Sequence, residues 1–328
     1  MRWKTFKGIL LFLPVSAAFV LLILRGETAS SAALSGLESC LRSVIPALCP
    51  FLVLTNLLLR LEIPKVLLEL PGRAFERLFR IRKTAFPAFF AGLIGGYPLG
   101  AEAAAEACRL GLCSKEEAGR LVIFANNCSP GFLFGLVSAM LPGGKKTALA
   151  LLLLQWLISA CLGIALAKGN SPSKTNRSAE TTDAPLPFLR CFVLSIRNGG
   201  RSALSISAYV VFFSVFTAFL PASALVRGSI ELTGGILLLE SLPRPELLAA
   251  FLVGWGGLSV ACQVISALDG SGISAGLYLP LRLIHGLLMA LGMELYRRSA
   301  WYLPVYGIVL FMAAVIVKKS GKKHFSGI

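Results

Sequence analysis

Apolar runs of about twenty residues recur along the chain, at 9–24, 41–61, 119–141, 147–168, 202–220, 275–295 and 300–317. A hydrocarbon core about 30 Å thick takes about 20 apolar residues of helix, so each run predicts a membrane span. Between the second and third runs, residues 62–83 mix leucine and phenylalanine with Lys65, Arg73, Arg77, Arg80, Arg82 and Lys83. That mixture predicts a helix lying in the headgroup layer. Residues 169–187 are polar, rich in Ser, Thr, Asn and Pro, and predict a flexible loop joining two halves.

Two segments are too broken for ordinary spans. Residues 84–111 carry an apolar limb, the break Gly95-Gly96-Tyr97-Pro98-Leu99-Gly100 and a small-residue limb. Proline and glycine at mid-depth interrupt a helix. Limbs of about ten residues are about 15 Å long, half a bilayer, and predict a re-entrant hairpin. Residues 246–268, with the break Gly254-Trp255-Gly256-Gly257, predict a second one.

A shift of 162 residues lays Ala88, Phe89, Gly92 and Gly95 on Ala250, Phe251, Gly254 and Gly257. The same shift lays Ser43 on Ser205, Phe51 on Phe213, Arg120 on Arg282 and Leu121 on Leu283. The chain therefore reads as an all-α polytopic membrane protein built as an inverted repeat with two re-entrant hairpins and seven spans. An N-terminal span occupies 1–33 and the first repeat 34–141, with its hairpin at 84–111. A connecting span and polar loop fill 142–187, the second repeat 188–298 with its hairpin at 246–268, and a last span and basic tail 299–328.

Composition agrees with this plan. Only 15% of the 328 residues are charged and 56% are hydrophobic, against roughly a quarter charged in a soluble domain, which excludes a water-soluble globular protein. The net charge of +16 would raise nucleic acid as a partner in a soluble chain. Here no basic domain with interleaved aromatics lies outside the spans, and membrane orientation accounts for the excess. With a cytoplasmic amino terminus, Arg2, Lys4, Lys7, the cluster 65–83, Lys168, Lys174 and Arg177 share one side. An odd number of spans then leaves Lys318, Lys319, Lys322 and Lys323 on the other, against the positive-inside rule. The run 9–24 follows basic residues as a secretory signal would, but Ala29-Ser30-Ser31-Ala32 is a weak cleavage site, so it reads as the first span. The eight cysteines form no CxxC pair, so neither a disulfide framework nor a metal site is expected.

The breaks concentrate the chemistry. Gly95, Gly96 and Tyr97 in one segment, and Gly256 and Gly257 with Ser259 in the other, would present free N–H groups at helix starts, suited to a carboxylate or phosphate. The same glycines would also allow tight helix crossing. Asn126 and Asn127, followed by Ser129 and Pro130, place two amides and a hydroxyl beside a further break, for a ligand or for interhelical hydrogen bonds. Arg282 and His285, three apart, share a helix face inside an apolar run. Arg282 would pair with a substrate carboxylate or, equally, with Glu231 or Glu294. His285 would couple a proton or serve as a hydrogen-bonded structural group. Glu231 opens another polar break, and Glu102 and Glu106 share a face that reads as solvated. No HExxH, P-loop or nucleophile elbow appears, so the chain reads as a non-enzyme without cofactor or metal.

Gly92-Leu93-Ile94-Gly95-Gly96-Tyr97-Pro98-Leu99-Gly100-Ala101, Ser114 to Ala118, Asn126 to Pro130, Gly254 to Val264 and Arg282 to His285 together resemble the YlbJ (SpoVV) sporulation integral membrane proteins. That family belongs to the nucleoside-recognition Gate group, whose architecture is similar to concentrative nucleoside transporters. The resemblance implies transport of dipicolinic acid across the outer forespore membrane, with hairpin tips and flanking broken spans forming the site. Matching motifs put Gly95, Gly96, Tyr97, Asn126, Asn127, Gly256, Gly257 and Arg282 there; Ser129, Glu231, Gln263 and His285 complete the candidate set. The expected partners are a small anionic substrate, membrane lipid and further copies of the chain in a homo-oligomer, with the coupling ion open. A Gate-type carrier for nucleosides or another organic anion, and a noncatalytic assembly factor of sporulation, are the alternatives.

Overall fold

The structure, a computed structural model, describes residues 2–61, 65–167 and 187–320. The predicted loop 169–187, all but its last residue, and Lys168, Lys174, Arg177, Lys322 and Lys323 lie outside the described residues. Every regular element among the described residues is helical. α1 (Arg2–Leu24) meets α2 (Gly26–Ser39) at 96°, and α2 continues through a π turn at Cys40–Val44 into α3 (Ile45–Arg60). α4 (Lys65–Phe79) is the predicted basic amphipathic helix. Its Phe75 and Phe79 are buried, with ring centroids 5.2 Å from Phe89 and 4.7 Å from Phe124. On its polar face Glu69 pairs with Arg73 and Lys83, and the Lys83 ammonium holds that carboxyl below the usual carboxylate range.

α5 (Phe86–Gly95) and α6 (Leu99–Arg109) form the first predicted hairpin. Three residues separate them, and the chain folds back: a Cβ on Gly92 would lie 2.8 Å from the Cα of Gly100. Both ends of the hairpin return to the same side. Thr84 donates its hydroxyl to the carbonyl of Leu112 (2.6 Å), and Arg82 reaches the carbonyl of Gly111 (3.2 Å). Glu106 is a correction to the sequence reading. It is 2% exposed and pairs with Arg60 of α3 and with Arg109, tying the hairpin to α3 instead of facing water.

Six helical segments after the hairpin are long and apolar enough to cross a membrane. α7 (Lys115–Ala125) is broken at Asn126–Ser129 and resumes as α8 (Pro130–Phe132), which runs into a π turn at Leu133–Val137. α9 (Lys145–Leu166) and the long α10 (Phe188–Ala218) follow, then the short α11 (Ala224–Ile230) and α12 (Leu232–Leu237). α13 (Pro245–Trp255) and α14 (Gly257–Leu268) lead to α15 (Tyr278–Arg298) and α16 (Tyr302–Ser320).

The second predicted hairpin, 246–268, is not one. α13 and α14 form a single 24-residue crossing, Pro245–Leu268, that does not fold back. The count of residues in the break does not decide this, since α11 and α12 are separated by Glu231 alone and do fold back, a Cβ on Gly235 running into the Cα of Gly228. α13 and α14, separated by Gly256, do not pack on one another. The next loop confirms the crossing, because a Cβ on Gly272 would lie 2.8 Å from Lys115 Nζ, at the start of α7. In the 162-residue register α7 and α15 then leave from the same side, and a second fold-back lies earlier, at α11–α12, where Gly235 meets Gly228. Helices in matching register do pack on one another, α3 on α10, α6 on α14 and α7 on α15.

Replacing a re-entrant hairpin by a crossing also moves the carboxy terminus. Six crossings after α4 return α16 to the α4 side, and Lys318 Nζ donates to the last carbonyls of α4, Arg77 (3.3 Å) and Leu78 (2.8 Å). Lys318 therefore joins the basic cluster, contrary to the sequence expectation and in accord with the positive-inside rule. Cysteine placed at Ser271 should react with a membrane-impermeant thiol reagent from the same side as cysteine at Arg73, and cysteine at Ser241 from the opposite side. Labelling of Ser271→Cys and Ser241→Cys from one side would restore the hairpin.

Candidate functional site

Three helix breaks meet at mid-depth. The hairpin tip turns at Gly96, whose φ of +82° lies in the region that favours glycine. There is also no room for a side chain, since a Cβ on Gly96 would lie 2.6 Å from the Cβ and N of Ser129. Gly92 and Gly100 close the hairpin against the carbonyl of Ala125, at 2.5 and 2.7 Å from their would-be Cβ atoms. On its other side the tip reaches the α13–α14 break: a Cβ on Gly256 (φ +85°) would lie 3.8 Å from the Tyr97 ring. α13 itself is drawn onto α15, with a Cβ on Gly254 2.6 Å from the Cα of Gly286.

Lipid cannot hydrogen-bond the backbone these breaks expose, so protein groups must. Gln155 of α9 brackets the first break, its Oε1 accepting from Cys128 N–H and its Nε2 donating to Cys128 C=O, both at 2.9 Å. Asn127 donates to the carbonyl of Phe124 (2.8 Å) and accepts from the Ser159 hydroxyl (2.7 Å). Asn126 donates to the hydroxyl of Tyr278 (2.7 Å), the first residue of α15. Ser129 caps α8 by accepting from Phe132 N–H (3.1 Å).

Arg282 and His285 sit in this cluster, 1% and 0% exposed. The guanidinium has only two long contacts, to Asn127 Oδ1 (3.5 Å) and to the carbonyl of Val253 in the last turn of α13 (3.4 Å), and its Nε has no hydrogen-bond partner. Neither nitrogen of His285 makes a hydrogen bond of ordinary geometry, although the main chain of Gln155 and Gly254 lies beside the ring. Asn126 Oδ1 is likewise buried and unbonded. The C-terminal end of α13 supplies roughly half a negative charge to these groups. No carboxylate supplies the rest, because no salt bridge to Arg282 exists among the described residues. Glu231 instead caps α12, accepting from Thr233 N–H (3.0 Å) and Gly234 N–H (2.7 Å), and Glu294 pairs with Arg297 and Arg298.

Of the residues singled out in the sequence, Gly96, Tyr97, Asn126, Asn127, Ser129, Gly256, Arg282 and His285 come together. Glu231 does not join them. Gln263 donates to Ser259 (3.2 Å) one turn away in α14, and Gly257 packs on the carbonyls of Gly228 and Ile230. Gly95 packs on Leu99 of its own hairpin. Three participants were not anticipated, Gln155, Ser159 and Tyr278. The first two carried a signal: polar residues four apart on one face of an otherwise apolar helix. Two cavities, of about 240 and 360 Å³, lie elsewhere. The smaller is on the basic side, lined by Lys115, Arg120, Ser274 and Leu277, next in sequence to Tyr278.

Over 85% of its length the chain is similar, at 22% identity, to the sporulation integral membrane protein YlbJ of Bacillus subtilis (strain 168), of which it covers 80%. That similarity supports a YlbJ-type family assignment. With six apolar crossings, the chain is a multi-pass membrane protein. No family model and no solved structure matches it. The breaks predict a ranking of substitutions. Gln155→Leu leaves the Cys128 N–H and C=O unbonded and should cost about 1–3 kcal/mol in thermal unfolding of the purified protein. Gln263→Leu, which removes only a bond within one helix, should cost less, and Gly96→Ala should yield no folded protein.

Proposed function

We propose that the chain is a carrier for a small organic anion, with dipicolinate, moved across the outer forespore membrane during sporulation, as its substrate. The observation that carries this reading is Arg282, a guanidinium buried at mid-depth, beside three helix breaks, with no carboxylate partner among the described residues. An unpaired charge in that position is costly and marks a place where an opposite charge belongs. The likeness to a sporulation membrane protein supplies the biological setting, and a planar pyridine dicarboxylate suits the guanidinium fork. A nucleoside, uncharged, would leave the arginine uncompensated. The set around the anion is Arg282 Nε and the Tyr97 hydroxyl as donors, with Asn126 at the side.

The cluster is closed, and the cavity on the basic side stops at Leu277. Between them stands the Asn126–Tyr278 hydrogen bond, which has to part for a substrate to pass.

Binding of dipicolinate to detergent-purified protein should weaken in the order parent, Arg282→Lys, Arg282→Gln. Lys keeps the charge and loses the bidentate geometry. A charged hydrogen bond is worth about 1.5–3 kcal/mol, so the Gln variant should lose roughly 10- to 150-fold. Equal affinity for all three would remove Arg282 from the site, and proteoliposomes that take up no more dipicolinate than protein-free vesicles would reject the carrier reading.

A further inference from the structure

We propose that His285 binds a proton when the anion site fills, so that a dicarboxylate enters together with one proton. The inference rests on the anion reading of Arg282. His285 lies three residues from Arg282, on the same face of α15, and is completely buried. The main chain of Gln155 and Gly254 flanks its ring. Both residues are helical, their N–H groups are used within α9 and α13, and what they offer the ring is carbonyl lone pairs. A neutral imidazole donates one hydrogen bond and an imidazolium two. The pocket between two carbonyls therefore suits the protonated ring.

Charge balance gives the second reason. Arg282 neutralises one carboxylate. A second carboxylate drawn into the same dry cluster needs a second positive charge, and among the described residues the surroundings of His285 hold no other. Tyr278 shares its helix, Tyr97 and Cys128 lie at the hairpin tip and the α7–α8 break, and Cys161 and Tyr306 come from α9 and α16; none of these can become a cation. α13 brings Glu246 only at the far end, beside Arg297. Of the charged residues of α7, Lys115 and Glu116 lie in its first turn at the basic-side cavity, Glu117 is engaged with Arg82, and Arg120 with the carbonyls of Phe79 and Arg80. No carboxylate faces the ring among the described residues. With the site empty, the charge of Arg282 opposes a proton on His285; a bound dianion reverses that field. One proton from water adds to an imidazole nitrogen, and the filled site is neutral: two cations and two carboxylates.

Calorimetry in buffers of different ionisation enthalpy, at about pH 8 where free dipicolinate is a dianion, reads the proton directly. The parent should take up about one proton per dipicolinate bound, and none with picolinate, which has a single carboxylate. Dipicolinate affinity should fall by up to about tenfold per unit rise in pH, and His285→Gln should bind more weakly with neither proton uptake nor that pH dependence. Should that variant not fold, 15N shifts of the histidine ring in the His324→Ala protein, which leaves His285 as the one histidine of the chain, should move to the imidazolium values on adding dipicolinate. Dipicolinate binding without proton uptake, uptake that survives His285→Gln, or a ring that stays neutral in the complex would overturn the proposal and leave the anion site standing. Binding of neither pyridine carboxylate would instead bring down the anion reading, and this inference with it.

Discussion

Hydrocarbon offers a broken helix no hydrogen bonds, and this constraint organises the centre of the molecule. Each of its three breaks is resolved by bringing it against protein. Gln155 supplies both a donor and an acceptor to Cys128, which the broken α7 cannot. The hairpin tip has no side chain at Gly96 and so can lie directly on Ser129. The end of α13 is met by Arg282 and lies beside His285. Small residues set the distances and polar side chains fill the valences, and the convergence follows from satisfying each break locally.

That same economy decides where the acids go. The buried carboxylates among the described residues are Glu106, Glu117 and Glu231. Glu106 pairs with Arg60 and Arg109, Glu117 with Arg82, and Glu231 accepts two backbone N–H groups at the start of α12. All three are spent locally, two in ion pairs that join elements and one in capping a helix start. None is left for Arg282, whose compensation comes from carbonyl and amide oxygens at 3.4 and 3.5 Å. A guanidinium so placed is held well enough to fold and too weakly to be neutral.

Much of this was legible in the chain. All seven apolar runs coincide with helix, at α1, the π turn with α3, α7–α8, α9, α10, α15 and α16, although α3 falls short of a span's length, and the hairpin at 84–111 and the basic amphipathic helix fall where their patterns put them. The second break was misread because glycines look alike in sequence while their consequences depend on what the two limbs pack against. The limbs around Gly96 pack on one another through Gly92 and Gly100, whereas α13 at the Gly256 break packs on α15 through Gly254 and Gly286. That one difference propagated to the repeat plan and to the side assigned to Lys318. The Asn pair and Arg282 were visible as expensive residues in apolar surroundings. Tyr278 was not, because a tyrosine at a helix start is ordinary until Asn126 is found against it.

Topology also fixes which part of the site can open. α7–α8 and α13–α14 both cross the membrane, so either could be drawn away from Arg282 along its axis only by carrying a polar loop into lipid. The α5–α6 hairpin has both ends on the basic side, tied at Thr84 and Arg82 to the loop at Gly111 and Leu112. Its tip is the element that covers Ser129 and touches the Gly256 break, and its second limb is held to α3 by Arg60 and Glu106. The α5–α6 hairpin, which does not cross, is thus the element whose tip closes the cluster, and the buried ion pair that holds it lies outside the site it covers.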